Sequence, residues 1–425
     1  MLKSLKQAVR LFIMVNSYTF DNGLKLIVKQ MDGLLSVTMG ILVGVGGAYE
    51  SDREDGISHY IEHMQFKGTN KRNAQEISVA FDNIGAQVNA FTSKDITCYY
   101  SKATSARAEQ AFEILSDLFL NSNFPVEEAV REKGVIVEEI AMNEDTPDDL
   151  CLDLLSNAMY GKSGYGRNIL GPVDNVKGFT KADVDAYKAK FYRPENIVIS
   201  FAGAVSFAQA KAMVERYFSG MVGGKFIQPQ KHIVQQNCSL FKNKPIEQAH
   251  LAIGYPGVAR ASSNLEAVQI MNTLLGSGMS SRLFQEVREK LGLAYSVYSY
   301  SSHYRECGHF SIYAGVNPKN IAQAYEAILQ VIQTAKKVGV SKEEFFRARE
   351  QLRSGSIFSQ ESTSSQMLWY GRNLLLDDKI DSFEALQERY DRVTLDDVMQ
   401  ALENIFNESK RSVALVGNVG AALPL

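Results

Sequence analysis

Two repeating patterns run through the chain. Segments such as ILVGV (41–45), CYYSKA (98–103), HLAIGY (250–255) and HFSIYAGV (309–316) are rich in β-branched and aromatic residues, partly in alternation, and read as strands. Between them lie long stretches with apolar residues three and four apart, the spacing of amphipathic helices. The sharpest is DGISHYIEHMQFKGT, residues 55–69. Ile57, Tyr60, Ile61 and Met64 fall on one helical face, and His59, Glu62, His63 and Phe66 on the opposite one. Asp55 is the predicted cap, and Gly68 follows a predicted end at Phe66 or Lys67. A second helix is predicted over 126–145, stopping before Pro147, with Val130, Val137 and Ile140 packing inward. NAFTSKDITCYY, 89–100, reads as one strand.

The patterns also recur. A helix followed by PVEEAVREKGVIVEEI (125–140) is echoed by a helix followed by VSKEEFFRAREQLRSGSI (340–357). Laying Glu127 on Glu343, an offset of 216, sets Glu139 against Gly355. The expected fold is therefore α+β: two tandem homologous domains, each a mostly antiparallel sheet flanked by helices. A chain of 425 residues suits two cores better than one. The expected division is an N-terminal extension (1–14), a first domain (15–222), a polar linker (223–243), a duplicated domain (244–419) and a tail (420–425).

Composition narrows the function. With 45% hydrophobic and 22% charged residues, the chain is ordinary for a soluble globular protein. A net charge of −3 and the lack of any basic, aromatic-interleaved patch give no support for nucleic-acid binding. No apolar run reaches the length of a membrane span. Cys98, Cys151, Cys238 and Cys307 are scattered without a CxxC pair, which fits reduced thiols in the cytoplasm. MLKSLKQAVRLFIM is basic, yet its apolar run is too short for a secretory signal. A very short mitochondrial presequence is the alternative to a misassigned start.

The chemistry sits on the polar face of the 55–69 helix. Histidines four apart can aim one ring nitrogen each at a single metal, with bonds of about 2.0–2.1 Å. Glu62, beside His63, is placed to take a proton from an attacking water. This is HxxEH, the inverted form of the HExxH zinc-protease helix. A catalytic zinc takes a third protein ligand. Glu132 and Glu139, seven apart on the 126–145 helix, share a face, but spacing alone leaves each as much a solvated residue as a ligand. His232, His250, His303 and His309 lack a spaced partner and are assigned no role.

At this point the chain resembles the M16 (pitrilysin-like) zinc metallopeptidases, in the subfamily of bacterial processing proteases and the mitochondrial processing peptidase. The likeness is carried by YTFDNGLKLIV (18–28), GVGGAYE (44–50), the HxxEH segment, GAQVNAFTSKDITCYYSKA (85–103) and VREKLGLAYSVYS (287–299). It implies the metallopeptidase M16/LuxS-like fold and one Zn2+ per chain on His59, His63 and Glu139. Glu62 would be the base and Glu132 an acidic support to the site. It further implies that Arg288 and Tyr295 bind the substrate carbonyl. Asn89, Ala90 and Phe91 would lie on a strand to which peptide adds. Asp149 and Asp153, ten and fourteen positions after Glu139, would hold a basic side chain of the substrate. The implied assembly is a homodimer closing a chamber around peptide substrates. The alternatives are a catalytic subunit working with a separate partner chain, or a zinc-stabilised scaffold without activity.

Overall fold

The computed structural model describes residues 15–229, 233 and 235–418. The expected extension (1–14), His232 and the tail (420–425) lie outside the described residues. The chain forms two compact units. Among the described residues, the first comprises 15–138, 169–229 and 358–382; the second comprises 139–168, 233, 235–357 and 383–418. The units are thus interleaved along the chain, whereas the ranges drawn from the sequence are continuous.

The first unit is built on a six-stranded sheet in the order β1–β2–β6–β3–β5–β4. Its strands are β1 (Val15–Thr19), β2 (Lys25–Gln30), β3 (Ser36–Val43), β4 (Gln87–Thr92), β5 (Thr97–Thr104) and β6 (Ile197–Gly203). β2 and β6 run parallel, and the other ladders are antiparallel. β3 is buried on both faces, so SVTMGILV reads as a nearly continuous apolar run rather than an alternation. The helices before β6 are α1 (Ile57–Met64), α2 (Ala74–Asn83), α3 (Ala108–Asn121), α4 (Val126–Asp145), α5 (Pro147–Tyr160), α6 (Val173–Gly178) and α7 (Lys181–Phe191). α8 (Phe207–Phe218) follows β6. One sheet face packs on α3 and α8, where Phe112 meets Phe201 at 5.0 Å between ring centroids and Phe218 at 5.9 Å.

The segment 89–100 is not one strand. Its alternation runs across a turn closed by Ser93 and Ile96. The chain there folds into the β4–β5 hairpin, with Asn89 opposite Tyr100 and β4 at the sheet edge.

The second unit carries a five-stranded sheet in the order β7–β11–β8–β10–β9. These strands are β7 (Ser239–Asn243), β8 (Ala249–Pro256), β9 (Ala294–His303), β10 (Gly308–Val316) and β11 (Ser412–Gly417). β7 and β11 are parallel and the rest antiparallel. α9 (Leu265–Gly276), a π-helical stretch (Phe284–Lys290), α10 (Ile321–Val338) and α11 (Lys342–Ser359) follow in the chain. α12 (Thr363–Asp377), α13 (Phe383–Arg392) and α14 (Leu395–Ile405) precede β11. Strand order and direction in this sheet repeat those of β2–β6–β3–β5–β4 in the first unit, so the weak repeat is a duplication of topology.

Each sheet has one face covered by a helix from the other half of the chain. In the first unit α12 lies on β3 and β6: Thr363 Oγ1 is 2.8 Å from Thr38 Oγ1, and Ser200 Oγ donates to the Met367 carbonyl at 2.8 Å. In the second, α5 lies on β8 and β11, with Cys151 Sγ donating to the His250 carbonyl at 3.1 Å. Glycines permit the approach, since a Cβ on Gly40 would stand 2.3 Å from Met367 Sδ, and one on Gly254 2.5 Å from Met159 Sδ.

Candidate metal centre

The predicted apolar stripe of α1 is buried: Ile57, Ile61 and Met64 at 0% exposure and Tyr60 at 3%. That packing turns His59, Glu62 and His63 to the other face. The start of the helix differs from expectation, because Asp55 does not cap it. Gly56 occupies the cap position at φ 95°, a left-handed backbone that a side chain strains. The carboxylate of Glu50 takes the capping role, accepting from the Gly56 and Ser58 N–H groups at 2.8 Å each. Burial pushes the Glu50 carboxyl up to about 7, against the lowering effect of those two bonds. The helix also ends earlier than predicted, at Met64.

α4 brings the acidic residues. Glu132 is buried, and Glu139 lies about two turns further along the same unbroken helix; the division between the units falls inside it, after Glu138. Val130, expected to pack inward, is 69% exposed. The buried side chains of this helix are Glu132 and Ile136, so its inner face carries a charge where a packing residue was expected.

Glu132 Oε1 lies 2.7 Å from His63 Nδ1, and Oε2 lies 2.6 Å from Lys67 Nζ. Burial alone would raise this carboxyl, but the His63 and Lys67 contacts hold it below the usual carboxylate range. An ionised carboxylate only accepts, so His63 Nδ1 donates and its Nε2 is the nitrogen available to a metal. His59, His63 and Glu139 each offer one donor atom, and the three lie within 4.8 Å of one another. A tetrahedral ion with bonds of about 2.1 Å spaces its ligands about 3.4 Å apart, so small side-chain adjustments close this set on one ion. It is the one such grouping among the described residues. Two nitrogens and one carboxylate oxygen suit zinc, as in catalytic sites with His2Glu ligation.

Glu62, half-buried beside these donors, accepts a 2.5 Å hydrogen bond at Oε2 from Thr92 Oγ1. Thr92 is the last residue of the edge strand β4, so the carboxylate is oriented by that strand. Asn89 is exposed on it, and Ala90 and Phe91 are half-buried. Cys98 is fully buried, and burial, helped by the charge of Glu62, pushes its thiol far up, so it is inert as a nucleophile.

Arg288 and Tyr295 come together in the second unit. The Arg288 guanidinium lies 4.7 Å from the Phe284 ring centroid and 5.5 Å from that of Tyr295. Tyr295 is the second residue of the edge strand β9 and is 79% exposed. Asp149 and Asp153 stand on α5, after Pro147 at its first position. Asp153 Oδ2 accepts from Asn168 Nδ2 at 2.6 Å, while Asp149 is exposed, its carboxyl raised by partial burial and then by Asp148. His250 Nδ1 is 2.7 Å from Tyr313 Oη, His303 Nδ1 is 2.9 Å from the Val258 carbonyl, and His309 is buried. Sequence reasoning missed Glu50, Thr92 and Lys67. No local signal marks Glu50 or Thr92; Lys67, four residues past His63, had a spacing signal that nothing in the sequence linked to Glu132.

Comparison with known proteins identifies the family. Residues 27–173 match the family described as Insulinase (Peptidase family M16), and residues 178–352 match the Peptidase M16 inactive domain. A Bacillus subtilis protein named "Uncharacterized zinc protease YmxG" is 38% identical over 96% of this chain and 99% of its own length. "Uncharacterized zinc protease SCO5738" of Streptomyces coelicolor is 34% identical, covering 95% of this chain and 89% of its own length. Among solved structures, a peptidase M16 inactive domain from Pseudomonas fluorescens superposes with a TM-score of 0.90 over 97% of this chain and 100% of its own, at 21% identity. A protease from Helicobacter pylori gives 0.89 over 96% of this chain and 100% of its own, also at 21% identity. At that identity the two structures speak for the fold. With both family regions in order along the chain and relatives matched nearly end to end, the protein belongs to peptidase family M16.

Proposed function

We propose that the protein is a zinc-dependent endopeptidase, holding one Zn2+ per chain on His59, His63 and Glu139. The observation that carries the reading is the convergence of those donors beside a carboxylate, Glu62, which is not one of them. Zinc, when bound, supplies a Lewis acid that polarises the scissile carbonyl and makes water acidic enough to react near neutral pH. Glu62 takes the proton of the attacking water and passes it to the leaving amine. Thr92 keeps that carboxylate aimed, and Glu132 fixes the ring of His63. The peptide lies along β4, using its open backbone groups at Asn89, Ala90 and Phe91.

Arg288 and Tyr295 donate to the developing oxyanion of the opposite chain in a homodimer whose closed chamber admits unstructured segments and excludes folded proteins. Asp149 and Asp153 favour a basic side chain near the cleaved bond. The protein's cysteines, none of them in a disulfide among the described residues, suit a bacterial cytoplasm. Incubation with an unstructured peptide library, with and without a chelator, tests the reading. Chelator-sensitive internal cleavage, restored by zinc, is expected. Zinc at one per chain without cleavage would favour the scaffold alternative.

A further inference from the structure

We propose that Lys67 is a positioning residue for the metal centre, acting through Glu132 to hold the His63 ring in its metal-binding orientation. The inference rests on the zinc reading above and extends it by one residue. Lys67 follows α1 by three positions, and the chain there is still turning: the Phe66 N–H donates to the His63 carbonyl and the Lys67 N–H to that of Met64, both at 3.2 Å. Being four residues after His63, Lys67 projects from the same side of this turn. Gly68, at φ 146°, then takes the backbone away.

The result is a linear chain of three side chains. The Lys67 ammonium stands 2.6 Å from Glu132 Oε2, and Glu132 Oε1 stands 2.7 Å from His63 Nδ1. The Glu132 side chain is only 4% exposed, against 26% for Lys67. A carboxylate so enclosed has little access to water that could replace a lost partner, and a buried charge left half-paired moves or recruits another group. With Lys67 in place, the two oxygens have separate partners, since one is held by the ammonium and the other faces the imidazole. Removing the ammonium frees the carboxylate to rotate, and the direction of His63 Nε2 loosens with it. Outer partners of this kind typically change metal affinity about 10–100-fold when removed.

The test compares zinc affinity, by competition with a calibrated chelator, in wild type, Lys67→Met, Lys67→Arg, Glu132→Gln and the Lys67→Met/Glu132→Gln double variant. Methionine keeps the apolar stem, so the fold should survive; the metal-free protein should melt somewhat lower, because the enclosed Glu132 carboxylate loses a partner, and its melting temperature is read alongside. Lys67→Met is expected to bind zinc about 10-fold more weakly, at the lower end of the range for outer partners, with Lys67→Arg recovering most of the loss. The decisive comparison is the double variant: in the Glu132→Gln background Lys67→Met should add nothing, because Lys67 acts only through Glu132. Tight zinc binding by wild type with equally tight binding by Lys67→Met would overturn the proposal and leave the metal reading standing. Additive losses in the double variant would also overturn it. A wild-type protein that binds no zinc would overturn the metal reading, and this proposal with it.

Discussion

At the scale of the residue, the proposed centre would separate holding a metal from moving a proton. Glu62 adjoins His63 in sequence and is bonded to Thr92, while Glu139 arrives from another helix. Glu62→Gln should therefore retain zinc at wild-type occupancy yet lose peptide hydrolysis about 10²–10⁴-fold, the usual cost of removing a general base. Glu139→Gln should lower zinc occupancy itself. Metal analysis alongside turnover separates the two, and near-normal turnover by zinc-loaded Glu62→Gln would refute the assignment. The paired histidines were legible in the sequence because their spacing is a property of one helix. Thr92 and Lys67 were not, because their partners Glu62 and Glu132 lie 30 and 65 positions away and only the fold brings them together.

At the scale of the element, the helix that carries His59 and His63 begins on a buried acid. Glu50 is 3% exposed, and burial pushes its carboxyl up from 4.5 to about 7. Between pH 4.5 and about 7 the folded chain thus keeps a proton that the unfolded chain has lost. Stability from this group is complete below 4.5 and is lost as pH rises through about 7, by on the order of 3 kcal/mol. Glu50→Gln cannot ionise, so its melting temperature relative to wild type should climb across that window, on top of a constant offset for the weakened cap. Parallel curves for the two proteins would show that Glu50 does not titrate there.

Elements also show where sequence patterns mislead. The stripe Ile57–Tyr60–Ile61–Met64 was readable because a helix buried on one side must repeat that way. The β4–β5 hairpin was hidden because its alternation continues through the turn without a glycine or proline to mark it. Asp55 looked like a cap by residue type, but the cap comes from Glu50, six residues before Gly56.

At the scale of the whole molecule, the proposed homodimer makes a sharp prediction. If Arg288 and Tyr295 serve the metal centre of the opposite chain, two inactive variants should rescue each other. Mixing Glu62→Gln with Tyr295→Phe after verified subunit exchange should restore part of the activity, since a mixed dimer keeps one intact site. No recovery would mean that the pair works within its own chain or not at all. The duplication was legible as a faint repeat. The interleaving was not, because nothing in α5 or α12 says which of two similar sheets it covers.

That exchange of helices sets the timetable of synthesis. β6 completes the first sheet at Gly203, but the helix that covers the face bearing Thr38, Leu42 and Ser200 ends at Asp377. At about 5–20 residues per second, the ribosome needs roughly 10–35 s to make the stretch between them. During that interval the half that carries the histidines has an open apolar flank. A fragment ending at residue 222 should therefore be sticky and poorly soluble alone, and co-production with residues 223–425 should rescue it. Cooperative melting of the isolated fragment would show that the flank needs no cover. The proposed metal centre would then gain its finished scaffold only after almost the entire chain has emerged, so that a partly made chain would not yet carry it in working order.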